Sequence, residues 1–361
     1  MIKKIEQLLK GLILRFLLLS KKSKVGDSSI PAITSNTKIL FVRLNRIGDA
    51  LVSTPLIDLV KKKTDCKIYV LADKKNHFVF SNNPNINSVI IFQKGIKGFL
   101  FLQKFIKNEK IDIMIDLHDD VSTTVTYLFA VSNVKYKFGL NKINNEIYTH
   151  TVQRLDSSSN HVIDRILKLS ELFGFTYLKD EIKIGYYPKV ENLNSAAEII
   201  DKKFPENKFL VGINISAGSD ARFWGVEPFK EIIESLMKYD INIILFSDLK
   251  DYDKAKSIID EKFIYPVSKE FDKFVAGVLQ VDLLFSPDTS VIHIASMKKI
   301  PVFGLYVKYR TQDMIWSPYN ADFDCIVTEE PTLKNITVEE VKKKFIPFLE
   351  KHLNAKRSTE L

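Results

Sequence analysis

The stretch Lys38-Ile39-Leu40-Phe41-Val42-Arg43-Leu44-Asn45-Arg46-Ile47-Gly48-Asp49, running on to Thr54-Pro55, decides the fold. Residues 39–43 are a short apolar, β-rich run. A polar loop with a glycine and an acid follows, and a helical pattern then covers residues 56–63. A strand that passes through a loop into a helix opens a parallel α/β unit. Gly48 permits a tight turn and the close approach of a ligand. Asp49 then has two readings, an acid facing a ligand crevice or a helix cap. Thr54-Pro55 reads as an N-cap and first-turn pair, or as a kink. The loop lacks the G-x-G-x-x-G spacing of a dinucleotide site.

Outward from this unit the same alternation continues. Strands are expected at 67–72, 88–92 and 111–117, with helices at 56–63, 99–108 and 121–131. A polar, helical connector spans 188–207. The pattern restarts with strands at 209–215, 241–246, 283–286 and 302–305 and helices at 228–239, 251–262, 271–279 and 291–298. The expected fold is α/β, with two doubly wound lobes and a cleft between them. The segments are 1–36 (helix and tether), 37–187 (acceptor side), 188–207 (connector) and 208–361 (nucleotide-sugar side, with a C-terminal helix). Ligands of such sheets lie beyond the carboxyl ends of strands, so the chemistry is sought in the loops that follow them.

Composition narrows the class. With 361 residues, 45% hydrophobic and 27% charged, the chain can bury two ordinary cores. Two distant cysteines, Cys66 and Cys325, fit a reducing compartment and show no metal-ligand spacing. The net charge is +9, yet seven bases against two acids crowd into residues 1–30. No basic stripe interleaved with aromatics remains on the folded body, which excludes nucleic acid as the expected partner. Ile5, Leu8, Leu9, Leu12, Ile13, Phe16 and Leu19 form one helix face, with Lys3, Lys10 and Lys21 opposite. Glu6, Lys10 and Arg15 interrupt a membrane span, and the apolar run ends without a small-residue cleavage site. Residues 1–22 are therefore expected to lie on the inner-membrane surface of a cytoplasmic, peripherally attached protein, or else to pack on protein.

Three further segments carry candidate chemistry. Asn214-Ile215-Ser216-Ala217-Gly218-Ser219 follows a strand and leads to Arg222-Phe223-Trp224. Small residues there admit phosphate oxygens to backbone amides. Arg222 either neutralises a diphosphate or is a surface arginine beside a packed tryptophan. Ser286-Pro287-Asp288-Thr289-Ser290 ends another strand and opens a helix whose N–H groups suit phosphate. His293, one turn in, is a site residue or an ordinary helix histidine. Asp116-Leu117-His118-Asp119 ends a first-half strand, so His118 and Asp119 are candidates for an acceptor pocket. The D-x-D triplets at Asp251 and Asp322 have the spacing used by metal-dependent transferases, but such triplets arise readily by chance in a chain with 44 acids, the first opens an expected helix and the second lies in a tail segment, so no metal is expected.

Taken in order, these motifs make residues 37–345 resemble glycosyltransferase family 9, the lipopolysaccharide heptosyltransferases. The matching pieces are Gly48-Asp49 with Thr54-Pro55, Ser286 to Ser290 with His293 and Ala295, Ile300-Pro301-Val302, and Trp316-Ser317-Pro318-Tyr319. The resemblance implies a GT-B fold of two Rossmann-like domains. It implies inverting, metal-independent transfer from a nucleotide sugar, often ADP-heptose, to a lipopolysaccharide core or related glycolipid, with no further cofactor. Asp49 takes the catalytic-base position. Ser216, Arg222, Asp288, Thr289, Ser290 and His293 fall on the donor side, and Gly48, His118, Asp119 and His161 on the acceptor side. Arg222 stands where many members carry Lys, and Ser290 where several carry Gly. The readings from other classes are a nucleotide-sugar-binding protein without catalysis and a sugar-nucleotide epimerase.

Overall fold

The computed structural model describes residues 30–360, so the expected amphipathic helix at 1–22 lies outside the described residues. The chain divides into two compact units, one of residues 30–156 with 162–178, the other of 157–161 with 179–360. The division at 178/179 assigns the connector to the second unit. Asp272 holds it there, accepting from Tyr186 Oη (2.7 Å), the Lys189 amide (3.0 Å) and Asn192 Nδ2 (2.7 Å).

In the first unit β1 (Lys38–Val42), β2 (Lys67–Ala72), β3 (Ser88–Ile91), β4 (Ile113–Asp116), β5 (Tyr136–Asn141) and β6 (His150–Gln153) form one sheet in the order β3-β2-β1-β4-β5-β6. Every pairing is parallel. β1 is central and buried from Ile39 onward, which explains its unbroken apolar run. The chain order reverses between β1 and β4, so the loops after these two strands flank the crevice of a doubly wound sheet. Gly139 on β5 faces the Tyr148 ring, where an added Cβ would come within 2.5 Å of the Tyr148 Cζ. Only glycine lets this ring lie flat on the strand.

Helix α1 (Ile47–Thr64) begins nine residues earlier than expected from its apolar pattern. Pro55 lies inside it and cannot bond the Leu51 carbonyl four residues back. The Thr54 hydroxyl donates to that carbonyl instead, at 2.7 Å, and the helix continues. Thr54 therefore repairs an interior proline rather than capping a start. The left-handed turn residue of the preceding loop is Asn45 (φ 74°), and Gly48 has no positive φ.

α2 (Ile96–Glu109), α3 (Thr123–Val131) and α4 (Val162–Leu167) complete the regular α-helices of this unit. The second unit contains β7 (Leu210–Asn214), β8 (Asn242–Phe246), β9 (Leu283–Pro287), β10 (Val302–Val307) and β11 (Phe323–Thr328), ordered β11-β10-β9-β7-β8 and all parallel. Its reversal falls between β7 and β9. The helices are α5 (Val190–Lys203), α6 (Val226–Leu236), α7 (Tyr252–Ile258), α8 (Phe271–Val278), α9 (Ser290–Ser296) and α10 (Val338–Glu360). Trp224, Phe229, Phe285, Phe303 and Phe345 anchor the core beneath the loops. Trp224 Nε1 donates to the Ile336 carbonyl at 2.9 Å, so its one polar atom is satisfied.

Candidate active site

At the reversal of the first sheet, Arg43 follows β1 with a side chain only 2% exposed. Its Nε donates to the Asp49 carbonyl (3.1 Å), its Nη2 to the Asp49 carboxylate, and its Nη1 to the Leu117 carbonyl (2.9 Å). One guanidinium thus joins the loops after β1 and β4. Burial works against its charge, and Asp49 followed by Asp116 are the first neighbours that offset it. Asp49 lies in the first turn of α1, whose N-cap is Arg46 without a side-chain bond. Its carboxylate therefore serves Arg43 rather than a cap. Among the described residues, Asp49 Oδ2 has no hydrogen-bond partner, and the side chain is 21% exposed.

Beneath this loop Asp116 gathers a buried network. Oδ1 accepts from the His118 amide (2.9 Å) and faces His118 Nδ1 (2.7 Å), while Oδ2 accepts from Lys142 Nζ (2.9 Å) and Tyr148 Oη. Burial pushes the Asp116 carboxyl up, but Lys142, His118 and Tyr148 outweigh it and hold the group below the usual carboxylate range. The Leu44 amide donates to His118 Nε2 at 3.3 Å, which puts the imidazole proton on Nδ1. Burial pushes the His118 imidazole down, with Arg43 and Lys142 adding to it against Asp116. Both ring nitrogens of His118 are committed inside the protein, so the ring supports the Asp49 loop. Asp119 is gripped by Arg154 (Nε to Oδ1 3.1 Å, Nη2 to Oδ2 2.9 Å) and by Arg165 (3.0 Å). Gly48 stays beside Asp49 in the first turn of α1. His161 groups with the second unit, where its Nε2 meets the Ser317 carbonyl (3.0 Å) and its ring packs on Tyr319.

At the reversal of the second sheet, Asn214 shapes the loop after β7. Its Nδ2 donates to the Ser216 carbonyl and to Ser286 Oγ on β9, both at 3.0 Å. Ser216 Oγ donates to Asp251 Oδ2 (2.8 Å) and accepts from the Asp248 amide (2.7 Å), so the hydroxyl holds the loop in place. Over Gly218 an added Cβ would meet nothing within 4 Å. Arg222, 41% exposed, donates to the Asp288 carbonyl (3.3 Å) and pairs with its carboxylate (3.2 Å). Burial raises the Asp288 carboxyl, and Arg222 opposes the rise. Thr289 caps α9 by accepting from the Val291 amide at 3.3 Å, with Ser290 as the first helical residue. His293 is 2% exposed, and its Nδ1 has no hydrogen-bond partner. Burial, with His161 second, pushes its imidazole down to about 3, so it is neutral near pH 7.

The roles of Arg43, Asp116 and Asp251 do not follow from the sequence. Arg43 leaves one signal there, a cation at the end of a run of four apolar strand residues, which needs a buried partner. Neither D-x-D triplet presents two free carboxylates. Asp251 is held by Ser216 and Lys254 (2.9 Å), and Asp322 by Lys351 and His352. Among the described residues no group of three or more His, Cys, Asp or Glu is placed to hold a metal ion.

Comparison with known proteins identifies the family. The family model described as "Glycosyltransferase family 9 (heptosyltransferase)" matches residues 100–346. The lipopolysaccharide core heptosyltransferase OpsX of Haemophilus influenzae is 24% identical over 301 residues, covering 81% of this chain and 84% of its own. Among solved structures, a family 9 glycosyltransferase from Veillonella parvula superposes with a TM-score of 0.75 at 20% identity, over 91% of this chain and all of its own. The Escherichia coli heptosyltransferase WaaC with ADP-2-deoxy-2-fluoro heptose gives 0.66 at 16% identity, over 86% and 99%. The chain belongs to glycosyltransferase family 9, the heptosyltransferase family, and is a glycosyltransferase with the GT-B fold.

Proposed function

We propose that the protein transfers a heptose from an ADP-sugar to a lipopolysaccharide core acceptor at the inner face of a bacterial membrane. The acceptor hydroxyl gives its proton to Asp49 Oδ2 as its oxygen bonds the anomeric carbon. The bond from that carbon to the diphosphate oxygen breaks, and the nucleotide diphosphate leaves from the opposite face. Arg43 fixes the direction of the carboxylate, which a general base needs before it can reach its proton. Arg222 and the amides around Thr289 and Ser290 receive the charge that builds on the diphosphate. His293, buried and neutral, adds no charge beside the donor phosphates.

The observation that carries this reading is the Asp49 carboxylate, held on one oxygen by a buried arginine and unpartnered on the other. The sugar nucleotide bound by WaaC supports the choice of donor, and the name of the Haemophilus relative supports the choice of acceptor. Residues 1–22 serve as a membrane anchor in this scheme. Among the described residues no helix is long and apolar enough to cross a bilayer. The test is release of ADP from ADP-heptose with and without a heptose-deficient lipopolysaccharide acceptor. Release that requires the acceptor is expected. Binding without release, or conversion of the sugar nucleotide in the absence of acceptor, overturns the proposal.

A further inference from the structure

Residues 93–108, Gln93-Lys94-Gly95-Ile96-Lys97-Gly98-Phe99-Leu100-Phe101-Leu102-Gln103-Lys104-Phe105-Ile106-Lys107-Asn108, contain four lysines and no acid. The helix α2 starts within them and ends one residue beyond, at Glu109, whose carboxylate is held by Lys38 and Tyr69; it buries Gly98, Leu102 and Ile106 on the first unit. Its rotation is fixed, because a Cβ at Gly98 would stand 1.7 Å from the Gln93 carbonyl oxygen. The opposite face therefore points outward. There Ile96 is 80% exposed, Leu100 61% and Phe101 58%, with Lys97, Lys104 and Lys107 exposed among them. A soluble face with this spacing would normally carry polar groups in place of the three large apolar ones. Ile96 and Leu100 follow the carboxyl end of β3. Two more exposed apolar side chains, Val121 and Ile143 (96%), lie in the loops after β4 and β5. Ile96, Val121 and Ile143 thus stand just beyond the carboxyl ends of β3, β4 and β5, on the edge of the sheet that carries the Asp49 loop.

We propose that the outward face of α2 docks on an anionic lipid surface and brings the Asp49 edge of the first unit to the bilayer. Ile96, Leu100 and Phe101 enter the acyl boundary, while the lysines reach back to lipid phosphates along their own stems. Charge selects this occupant. A second copy would set lysine face against lysine face. The chain's own residues 1–22 hold six bases against Glu6 and would be repelled in the same way. The inference uses the proposed glycolipid acceptor only for its purpose, because lipid contact can be read without turnover.

In full-length protein carrying Cys325→Ser, an environment-sensitive fluorophore is attached to Leu100→Cys, Cys66 being buried. Phosphatidylglycerol vesicles should shift its emission to the blue, and phosphatidylcholine vesicles should not. Replacing Lys97, Lys104 and Lys107 with Gln should weaken partitioning about 10²-fold, or about fivefold per lysine. The variant Ile96→Ser, Leu100→Ser, Phe101→Ser should lose activity on vesicle-embedded acceptor and keep it on a deacylated, water-soluble one. No shift with phosphatidylglycerol, an equal shift with both lipids, or a shift that grows with protein concentration in the absence of lipid overturns the docking surface. Failure of the unsubstituted protein to release nucleotide on either acceptor would instead sink the proposed reaction, while the fluorescence still decides the docking.

Discussion

Arg43 and Asp49 are joined twice, through the Asp49 carboxylate and through its backbone carbonyl, and the same guanidinium reaches the Leu117 carbonyl in the neighbouring loop. Asn at position 49 can still accept from Arg43 but cannot take a proton. Asp49→Asn should therefore fold and bind donor as before, with transfer reduced by roughly 10²–10⁴-fold. Asp49→Ala leaves a buried cation without its partner, which costs about 3–5 kcal/mol in stability. Thermal midpoints and acceptor-dependent ADP release on the same preparations check both. Turnover near the parent level in Asp49→Asn ends the catalytic assignment.

Arg222 meets Asp288 while 41% exposed, so it can turn to a diphosphate without unfolding anything. Arg222→Ala should weaken ADP binding at least about tenfold, and Arg222→Lys should recover much of it, since lysine keeps the charge and loses only the fork. Calorimetric titration with ADP reads this directly. Equal affinities across the series would remove Arg222 from the phosphate site.

Acid should destabilise the protein through its buried imidazoles. An unfolded histidine takes up a proton near 6.5, whereas folded His293 stays neutral down to about 3. Between those values the unfolded chain binds more protons, so this contribution is fully present above 6.5 and is lost as the pH falls. The slope approaches roughly 1.4 kcal/mol per pH unit for each such group. His118 is shifted in the same direction and adds to the effect. Urea unfolding near pH 7.5 and near pH 5 should show the loss, and His293→Gln should make it smaller. An identical loss in that variant would rule out His293 as a source.

Thr54→Val keeps the shape of the side chain and removes the hydroxyl that satisfies the Leu51 carbonyl. The orphaned, buried acceptor should cost about 1–3 kcal/mol. Urea unfolding measures it, and an unchanged midpoint would show that the carbonyl finds another donor.

The central strands are legible because strands buried on both faces write continuous apolar runs, as 39–42 does for β1. The edges are not. β5 (Tyr-Lys-Phe-Gly-Leu-Asn) and β6 (His-Thr-Val-Gln) mix polar residues into short strands, and β11 starts inside the Asp322-Phe323-Asp324 triplet, a stretch that reads as a tail. The start of α1 is hidden because Pro55 signals a beginning or a kink, and the repair by Thr54 depends on geometry within a helix already formed. The loops of the candidate site can be found from their place after strands. Their internal wiring cannot, since Arg43 and Leu117 are 74 residues apart and only the pairing of β1 with β4 brings them together.

The two sheets reverse at different strands and rest on separate cores, β1 and β4 over one, β7 and β9 over the other. Mutational drift in one crevice therefore need not disturb the scaffold of the other. In the proposed reaction the loops after β1 and β4 serve the acceptor and those after β7 and β9 the donor, so substitutions in the first set leave the second on an unaltered scaffold. If that division of labour holds, exchanging the first-unit loops with those of another member should change the acceptor used and leave the nucleotide sugar the same.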